Sequence, residues 1–195
     1  MTEYFIRTMK PGELKGFYKH ITRDFLPEEH APYGILHRQL QNGVQEGLIF
    51  CEGTRELAYA ICAANDPGGF VLISLLAVFQ DCRGRGIGTE FIKALQQKYE
   101  SKQGIVVEVE RPDLSHTQED RLVRQQRIRF YEKAGFYLIP GIEYSIWDVP
   151  MHLMCLPIMA SKENIFTDIE RIIYRIYLGL MGEQFIHKMQ ISAIK

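Results

Sequence analysis

The stretch that decides the fold of this chain is Val71–Thr89, which reads VLISLLAVFQDCRGRGIGT. Its first nine residues are apolar apart from Ser74, as expected for a buried strand. A turn rich in glycine and arginine follows, and the spacing of apolar residues from Ile87 to Tyr99 predicts a helix. The first amides of a helix lack intrahelical partners and lie at the positive end of its dipole. The stretch therefore predicts a binding site for a phosphorylated ligand.

The composition of the chain excludes several classes of protein. Its 195 residues, 46% of them hydrophobic, are enough for one domain with a substantial core. A net charge of −1 gives no general attraction to nucleic acid or membranes. The longest apolar run is too short to span a bilayer, and residues 1–5 do not resemble a signal peptide, so we expect a cytoplasmic protein. The cysteines and histidines show no metal-ligand spacing, so we expect no metal.

The remaining elements follow from periodicity and turn residues. Two alternating strands, residues 47–51 and 56–63, are expected to form a hairpin at Gly53-Thr54. Helical patterns cover residues 119–134 and 167–188, the second with Thr167 and Glu170 as a capping box. A hairpin followed by a strand, a helix and a strand predicts a single-domain α/β fold. Its mixed, mostly antiparallel twisted sheet would carry helices on both faces.

Three phosphate-binding motifs compete for the glycine turn. A P-loop would end in a lysine and a hydroxyl residue, which this turn lacks. The sequence from Gly84 to Gly88 is GRGIG, one residue away from the dinucleotide-binding fingerprint GxGxxG. The third option, Arg-x-x-Gly-x-Gly, matches residues 83–88.

This third pattern resembles the acetyl-CoA-binding motif of the GNAT superfamily of N-acetyltransferases. A second match lies downstream, where residues 129–136, RFYEKAGF, resemble the superfamily's helix ending in Tyr-Glu-Lys-x-Gly-Phe. The resemblance covers about residues 3–157. It implies a GNAT-like domain over residues 1–157. Residues 158–195 would be a C-terminal helical extension that packs on this domain or forms a homodimer interface.

The resemblance implies that acetyl-CoA is the co-substrate. Its pantetheine arm would run along the backbone of Leu76, Ala77 and Val78. Its pyrophosphate would bind the turn amides, contributed by Arg83, Gly84, Arg85, Gly86, Ile87, Gly88 and Thr89. The two turn arginines add charge or are solvated. Arg124 stands where many members have asparagine, and with Arg121 and Arg127 it either meets the coenzyme or forms a solvated basic face.

Tyr131 is the candidate that would protonate the leaving thiolate, because a phenol is neutral at pH 7 and the superfamily has a tyrosine here. Glu108 and Glu110 share one face of a predicted strand, and either could accept a proton from the amine. The alternative for both carboxylates is pairing with an arginine. The alternative for Tyr131 is simple packing in the pocket wall.

The superfamily's layout implies an acceptor pocket that combines acids with aromatic residues, which suits a cationic amine on a small molecule or a peptide. Its residues would be Phe25, Leu26, Pro27, Glu28, Glu29, Tyr33, Tyr144, Trp147 and His152. The leading function is therefore an acetyl-CoA-dependent N-acetyltransferase. The alternatives are a non-catalytic coenzyme-A-binding regulatory module and a nucleotide-dependent oxidoreductase.

Overall fold

The computed structural model describes residues 3–194, in which one sheet of nine strands is flanked by five α-helices. The strands are β1 Tyr4–Thr8, β2 Glu46–Glu52, β3 Arg55–Ala63, β4 Phe70–Val78, β5 Gly104–Glu110, β6 Tyr137–Leu138, β7 Ile142–Ile146, β8 Val149–Pro157 and β9 Met189–Ala193. The helices are α1 Leu14–Asp24, α2 Tyr33–Gln41, α3 Ile87–Lys98, α4 Gln118–Lys133 and α5 Lys162–Met181.

The strand order is β1-β2-β3-β4-β5-β8-β7-β9, with the short β6 also paired to β8. Every neighbouring pair is antiparallel except β4 and β5, which are joined through α3 and run parallel. The predicted hairpin at Gly53 joins β2 to β3. The mixed, mostly antiparallel α/β fold is thus confirmed.

The central strands carry apolar side chains on both faces of the sheet, and helices therefore cover both faces. On one face, α3 and α4 pack through Phe91, Leu95 and Tyr131. On the other face, α1 and α2 cover the β1–β4 half of the sheet, and α5 covers the β5–β8 half. The helix α5 contributes five isoleucines to this layer, namely Ile165, Ile169, Ile172, Ile173 and Ile176.

A β-bulge at Ser74 explains why β4 leaves its parallel neighbour. Along β3, Ile61 pairs with Leu75 and Cys62 pairs with Ile73, so Ser74 is one extra residue on β4. A bulge bends its strand and increases the local twist. The pairing of β4 with β5 ends at Ile73, immediately before the bulge. The two strands therefore diverge at their carboxyl ends.

The C-terminal helix begins earlier and ends earlier than the sequence pattern predicts. Its N-cap is Ser161, whose hydroxyl accepts a bond from the Asn164 amide at 3.2 Å. The predicted cap Thr167 lies inside the helix and donates to the Glu163 carbonyl instead. The helix ends at Met181, and residues beyond it form β9 on the edge of the sheet. The capping-box prediction was therefore wrong, and the extension is partly strand.

Polar contacts hold α5 against the domain. The Arg175 guanidinium donates to the Asp66 carboxylate at 3.1 and 3.3 Å, and the Asp66 side chain is 1% exposed. The Gln39 amide of α2 donates to the Leu180 carbonyl at 3.0 Å.

No helix in residues 3–194 is long and apolar enough to cross a membrane. The division of the chain at residue 157 stays a prediction.

We expect Arg175→Met to lower the free energy of unfolding by about 2 kcal/mol, because it leaves a buried carboxylate without its charged partner. Chemical denaturation of the purified variant measures this change. The matched control is Arg171→Met, which removes only the exposed pair with Asp168 on the same helix. We expect that control to stay within about 0.5 kcal/mol of wild type. Equal effects of the two changes would contradict the role of Arg175.

Candidate active site

The candidate site is the gap between the diverging ends of β4 and β5. Residues 74–78 of β4 and 108–110 of β5 have no pairing with each other. The Phe79 amide donates to the Leu57 carbonyl of β3 at 2.9 Å, so the backbone groups of Phe79 point towards β3. Successive strand residues direct their N–H and C=O groups to opposite sides, and those of Val78 and Leu76 therefore point away from β3, towards the gap. The gap thus presents backbone groups that a ligand can bind.

The glycine turn lies where β4 ends and leaves the start of α3 open. Gly84 and Gly86 both have φ near +76°, a conformation that favours glycine. Gly86 is the N-cap of α3, and no side chain caps it. The helix's hydrogen bonds begin with the Glu90 amide donating to the Gly86 carbonyl. The preceding amides can therefore bind an anion.

Gly88 allows the start of α3 to approach both β4 and α4. A Cβ atom at this position would lie 3.0 and 3.1 Å from the Phe130 ring and 3.5 Å from Val78 Cγ2. The open amides are consequently held beside the gap and next to α4. This contact brings the two predicted motifs, around Gly86 and Tyr131, into one place.

The three predicted coenzyme-binding arginines differ in how they are engaged. Arg83 donates to the Val78 carbonyl at 2.9 Å and to Asp24 at 3.2 Å. Arg124 pairs with Asp120 at 2.9 Å and donates to the Arg111 carbonyl at 2.9 Å. Arg85 is exposed on the turn. Arg83 therefore links the end of β4 to Asp24 of α1. Coenzyme binding by these three side chains stays a prediction.

Tyr131 lies on α4 with its ring between those of Phe130 and Phe136, at centroid distances of 5.0 and 5.1 Å. It shares an apolar cluster with Ile73 and Val107, the last paired residues at the base of the gap. Burial raises the pKa of Tyr131 to about 12. The phenol is therefore neutral at pH 7 and can act as a proton donor.

Glu108 lies just past Val107, the last residue of β5 that pairs with β4, and its side chain is on the α5 face of the sheet. The hydroxyls of Tyr144 and Tyr177 both donate to this carboxylate. Burial raises the pKa of Glu108, and the two tyrosine hydrogen bonds act in the opposite direction. The residue is half-buried overall, so it keeps some contact with solvent. A carboxylate with a raised pKa is suited to accept a proton near neutral pH.

Glu110 is paired with arginines, which is the arrangement named above as the alternative to a role as proton acceptor. Arg127 of α4 pairs with its carboxylate, and Arg124 lies 3.8 Å away. Arg127 also lies 3.6 Å from Glu29, which belongs to the segment after α1. Burial raises the pKa of Glu29, and the negative charge of Glu110 adds to the effect. The cluster links β5 and α4 to the segment after α1, here called the acceptor loop because residues 25–29 are predicted to line the acceptor pocket.

The predicted acceptor residues of the late strands have separate environments. Tyr144 is buried and reaches Glu108. Trp147 lies exposed in the β7–β8 turn at φ 50°, with its ring 6.0 Å from that of Phe185. His152 is half-buried, and burial lowers its pKa. Of these three side chains, only Tyr144 contacts a predicted catalytic residue.

The sequence reasoning missed Tyr177 altogether. This residue lies on α5 and donates to both oxygens of Glu108, at 2.8 and 2.9 Å. Its position suits the apolar stripe of an amphipathic helix, so nothing in the local pattern distinguishes it from a packing residue. The 69 residues that separate it from Glu108 leave no spacing signal either.

The fold, a sheet that opens between β4 and β5 beside a glycine turn, is similar overall to the folds of solved acetyltransferases. Residues 45–138 match the family model described as the acetyltransferase (GNAT) domain. Residues 45–138 therefore carry a GNAT acetyltransferase domain, as the two sequence motifs predict.

Solved structures support the same fold. A protein from Bacteroides thetaiotaomicron assigned to the GNAT family matches with a TM-score of 0.74 at 21% identity, over 91% of this chain and 98% of that one. The ribosomal-protein-S18-alanine N-acetyltransferase of Escherichia coli matches with a TM-score of 0.56 at 17% identity, over 83% and 98% of the two chains. Arabidopsis thaliana NAA60 in complex with acetyl-CoA gives 0.58 at 16% identity, over 80% and 99%.

A comparison with curated protein sequences found no match. Across residues 3–194, no group of three or more His, Cys, Asp or Glu side chains is arranged to hold a metal ion.

Proposed function

We propose that the protein is an acetyl-CoA-dependent N-acetyltransferase that transfers an acyl group to a primary amine of a small molecule or peptide. The observation that carries this proposal is the opening between β4 and β5 beside the uncapped start of α3. Acetyl-CoA has an anionic pyrophosphate and an amide-containing arm. The open amides around Gly86 match the first, and the gap-facing backbone groups of Leu76 together with the Val78 amide match the second, since the Val78 carbonyl already accepts from Arg83.

The residues fit this group because the turn offers space as well as donors. A Cβ atom at Gly84 or Gly86 would meet no other atom within 4 Å, so the backbone there is open to a ligand. In this proposal the turn amides bind the pyrophosphate and the β4 backbone orients the arm. Bound acetyl-CoA would supply a thioester carbonyl for attack by the amine.

The proposed reaction is a direct transfer with two proton movements. A C–N bond forms between the amine and the acyl carbon, and the C–S bond of the thioester breaks. Glu108 accepts the proton that the amine loses, directly or through water. Tyr131 donates its proton to the departing thiolate, and solvent returns the proton from Glu108 to Tyr131. Tyr131 packs on the face of the sheet that α3 and α4 cover, whereas the Glu108 side chain lies on the α5 face. The two residues would therefore act from opposite sides of the gap.

Glu108 is a better candidate for the base than Glu110. The Glu110 carboxylate is paired with Arg127, so accepting a proton from the amine would cost it this ion pair. Glu108 has only hydroxyl donors, and its pKa is raised. Glu110 would instead anchor α4 and the acceptor loop through Arg127.

A thiol-release assay with acetyl-CoA and a panel of amines tests the proposal. We expect release that depends on the amine, and thermal stabilisation by acetyl-CoA but not by NAD or NADP. Stabilisation without turnover on any amine would favour the regulatory alternative. Stabilisation by NAD alone would favour the oxidoreductase.

Gly86→Ala tests the turn directly. At φ +76° an alanine is strained by about 1–2 kcal/mol, which favours a relaxed turn in the free protein, so acetyl-CoA must restore the strained conformation and we expect it to bind about tenfold more weakly in calorimetry. Gly16→Ala is the matched control, because that glycine has open space around it and no positive φ. Unchanged affinity in Gly86→Ala would argue against pyrophosphate binding at this turn.

A further inference from the structure

The C-terminal helix α5 reaches the candidate active site through one side chain. Tyr177 Oη lies 2.8 and 2.9 Å from the two carboxylate oxygens of Glu108. Both residues lie between α5 and the sheet, where Tyr177 is 8% exposed and Glu108 is half-buried. Tyr144 of β7 donates to one of the same oxygens. Residues from three separate elements thus meet at one carboxylate.

We propose that Tyr177 is a positioning residue that holds the Glu108 carboxylate for proton transfer, so that the C-terminal helix completes the active site. This inference rests on the function proposed above. A hydroxyl that bridges both carboxylate oxygens restricts the rotation of the carboxyl group, which is the torsion with the broadest freedom in glutamate. Positioning of this kind matters because proton transfer requires the base within hydrogen-bond reach of the proton it removes.

The surroundings of Glu108 leave the two tyrosines as its polar partners. On β8 the residue opposite Glu108 is the apolar Leu153. On its own strand, Glu110 faces the same side but is paired with Arg127. Hydrogen bonds to a carboxylate favour its charged form. Tyr177 therefore has two effects, since it orients the base and opposes the rise in pKa that burial causes.

The attachment of α5 supports a role beyond core packing. Arg175, two residues before Tyr177, is held by the buried Asp66 carboxylate, and Gln39 of α2 holds the end of the helix at Leu180. An added Cβ atom at Gly68 would collide with the Arg175 guanidinium, so the β3–β4 loop fits closely around this arginine. These contacts set the position of α5 along the sheet, and thereby the height of the Tyr177 hydroxyl over Glu108.

The test is Tyr177→Phe, which removes the hydroxyl and keeps the ring in the core. Loss of one donor to the carboxylate raises the pKa of Glu108, so the ascending limb of the pH-rate profile moves to higher pH by about one unit. The rate at pH 7 falls by up to about tenfold, and acetyl-CoA affinity is unchanged. Tyr174→Phe is the matched control, because that tyrosine lies on the same helix but is exposed.

Two further measurements separate positioning from general structural support. The carbon NMR titration of the Glu108 carboxyl, assigned with Glu108→Gln, reports its pKa without any amine present. In a double-mutant cycle, Tyr177→Phe is expected to cost no additional activity in the Glu108→Gln background, because the two groups act as a unit. Additive losses would overturn the proposal.

The outcomes also distinguish this inference from the proposed function. An active wild-type protein whose pH profile and carboxyl titration are unaffected by Tyr177→Phe overturns the role of Tyr177 alone. A wild-type protein that binds acetyl-CoA but acetylates no amine in the panel overturns the proposed function. A shifted profile, a shifted titration and a non-additive cycle together support the positioning role.

Discussion

Tyr131→Phe is expected to lower kcat about 100-fold, because general-acid catalysis by a placed side chain typically contributes two to four orders of magnitude. The aromatic ring stays in its place between Phe130 and Phe136, so the fold and acetyl-CoA affinity should be nearly unchanged. With its pKa raised to about 12, the phenol is protonated through the whole neutral range. Steady-state assays of thiol release and calorimetric titration with acetyl-CoA measure the two quantities.

The control for this prediction is Tyr137→Phe. Tyr137 lies six residues further along, on the short strand β6, and is 48% exposed. It lies outside the proposed machinery, so its loss of a hydroxyl should leave turnover unchanged. If both variants retain wild-type kcat, Tyr131 only lines the pocket and the proton reaches the thiolate by another path.

Glu108→Gln is expected to lower kcat by about 100-fold as well, through loss of the general base. The pH dependence gives a second signature. The carboxylate is the active form, so the wild-type rate rises as pH increases through the raised pKa of Glu108. The glutamine variant cannot titrate, so this ascending limb should disappear from its kcat profile. Assays with two amines of different pKa separate the limb of Glu108 from that of the substrate.

Glu110→Gln supplies the contrast. Its carboxylate is paired with Arg127, so this change should lower stability more than it lowers kcat. Denaturation and turnover measured on the same preparations show which residue affects which quantity. A larger loss of kcat in Glu110→Gln than in Glu108→Gln would reverse the assignment of the base.

Local patterns in the sequence were sufficient for most of the fold. The apolar run of β4, the glycine turn and the helix after it depend on neighbouring residues, and all three were predicted from those neighbours. The start of α5 was predicted wrongly at Thr167, although Ser161 is an equally good cap by residue type. Hydroxyl residues are common, and only packing against the sheet decides which of them begins the helix.

The part of the candidate site that would bind acetyl-CoA could be predicted from the sequence, but the different roles of its two glutamates could not. Glu108 and Glu110 share one strand face, so periodicity alone made them equivalent. Arg127 comes from α4, whereas Tyr177 comes from α5, and these two partners separate an ion-paired carboxylate from a hydroxyl-bonded one. Such long-range partners have no fixed spacing, which is why the sequence could not rank the two glutamates.

The sequence alone predicted the strand–turn–helix unit around Gly86 and the helix that carries Tyr131, because each depends on residues close together in the chain, and these two motifs carried the resemblance to the GNAT superfamily. Tertiary structure alone decided that β4 and β5 separate after Ile73, that Glu110 is paired with Arg127 and that α5 brings Tyr177 to Glu108. The physical reason is the same in each case. A carboxylate's charge state depends on burial and on the donors around it, and both are created only when distant elements pack together.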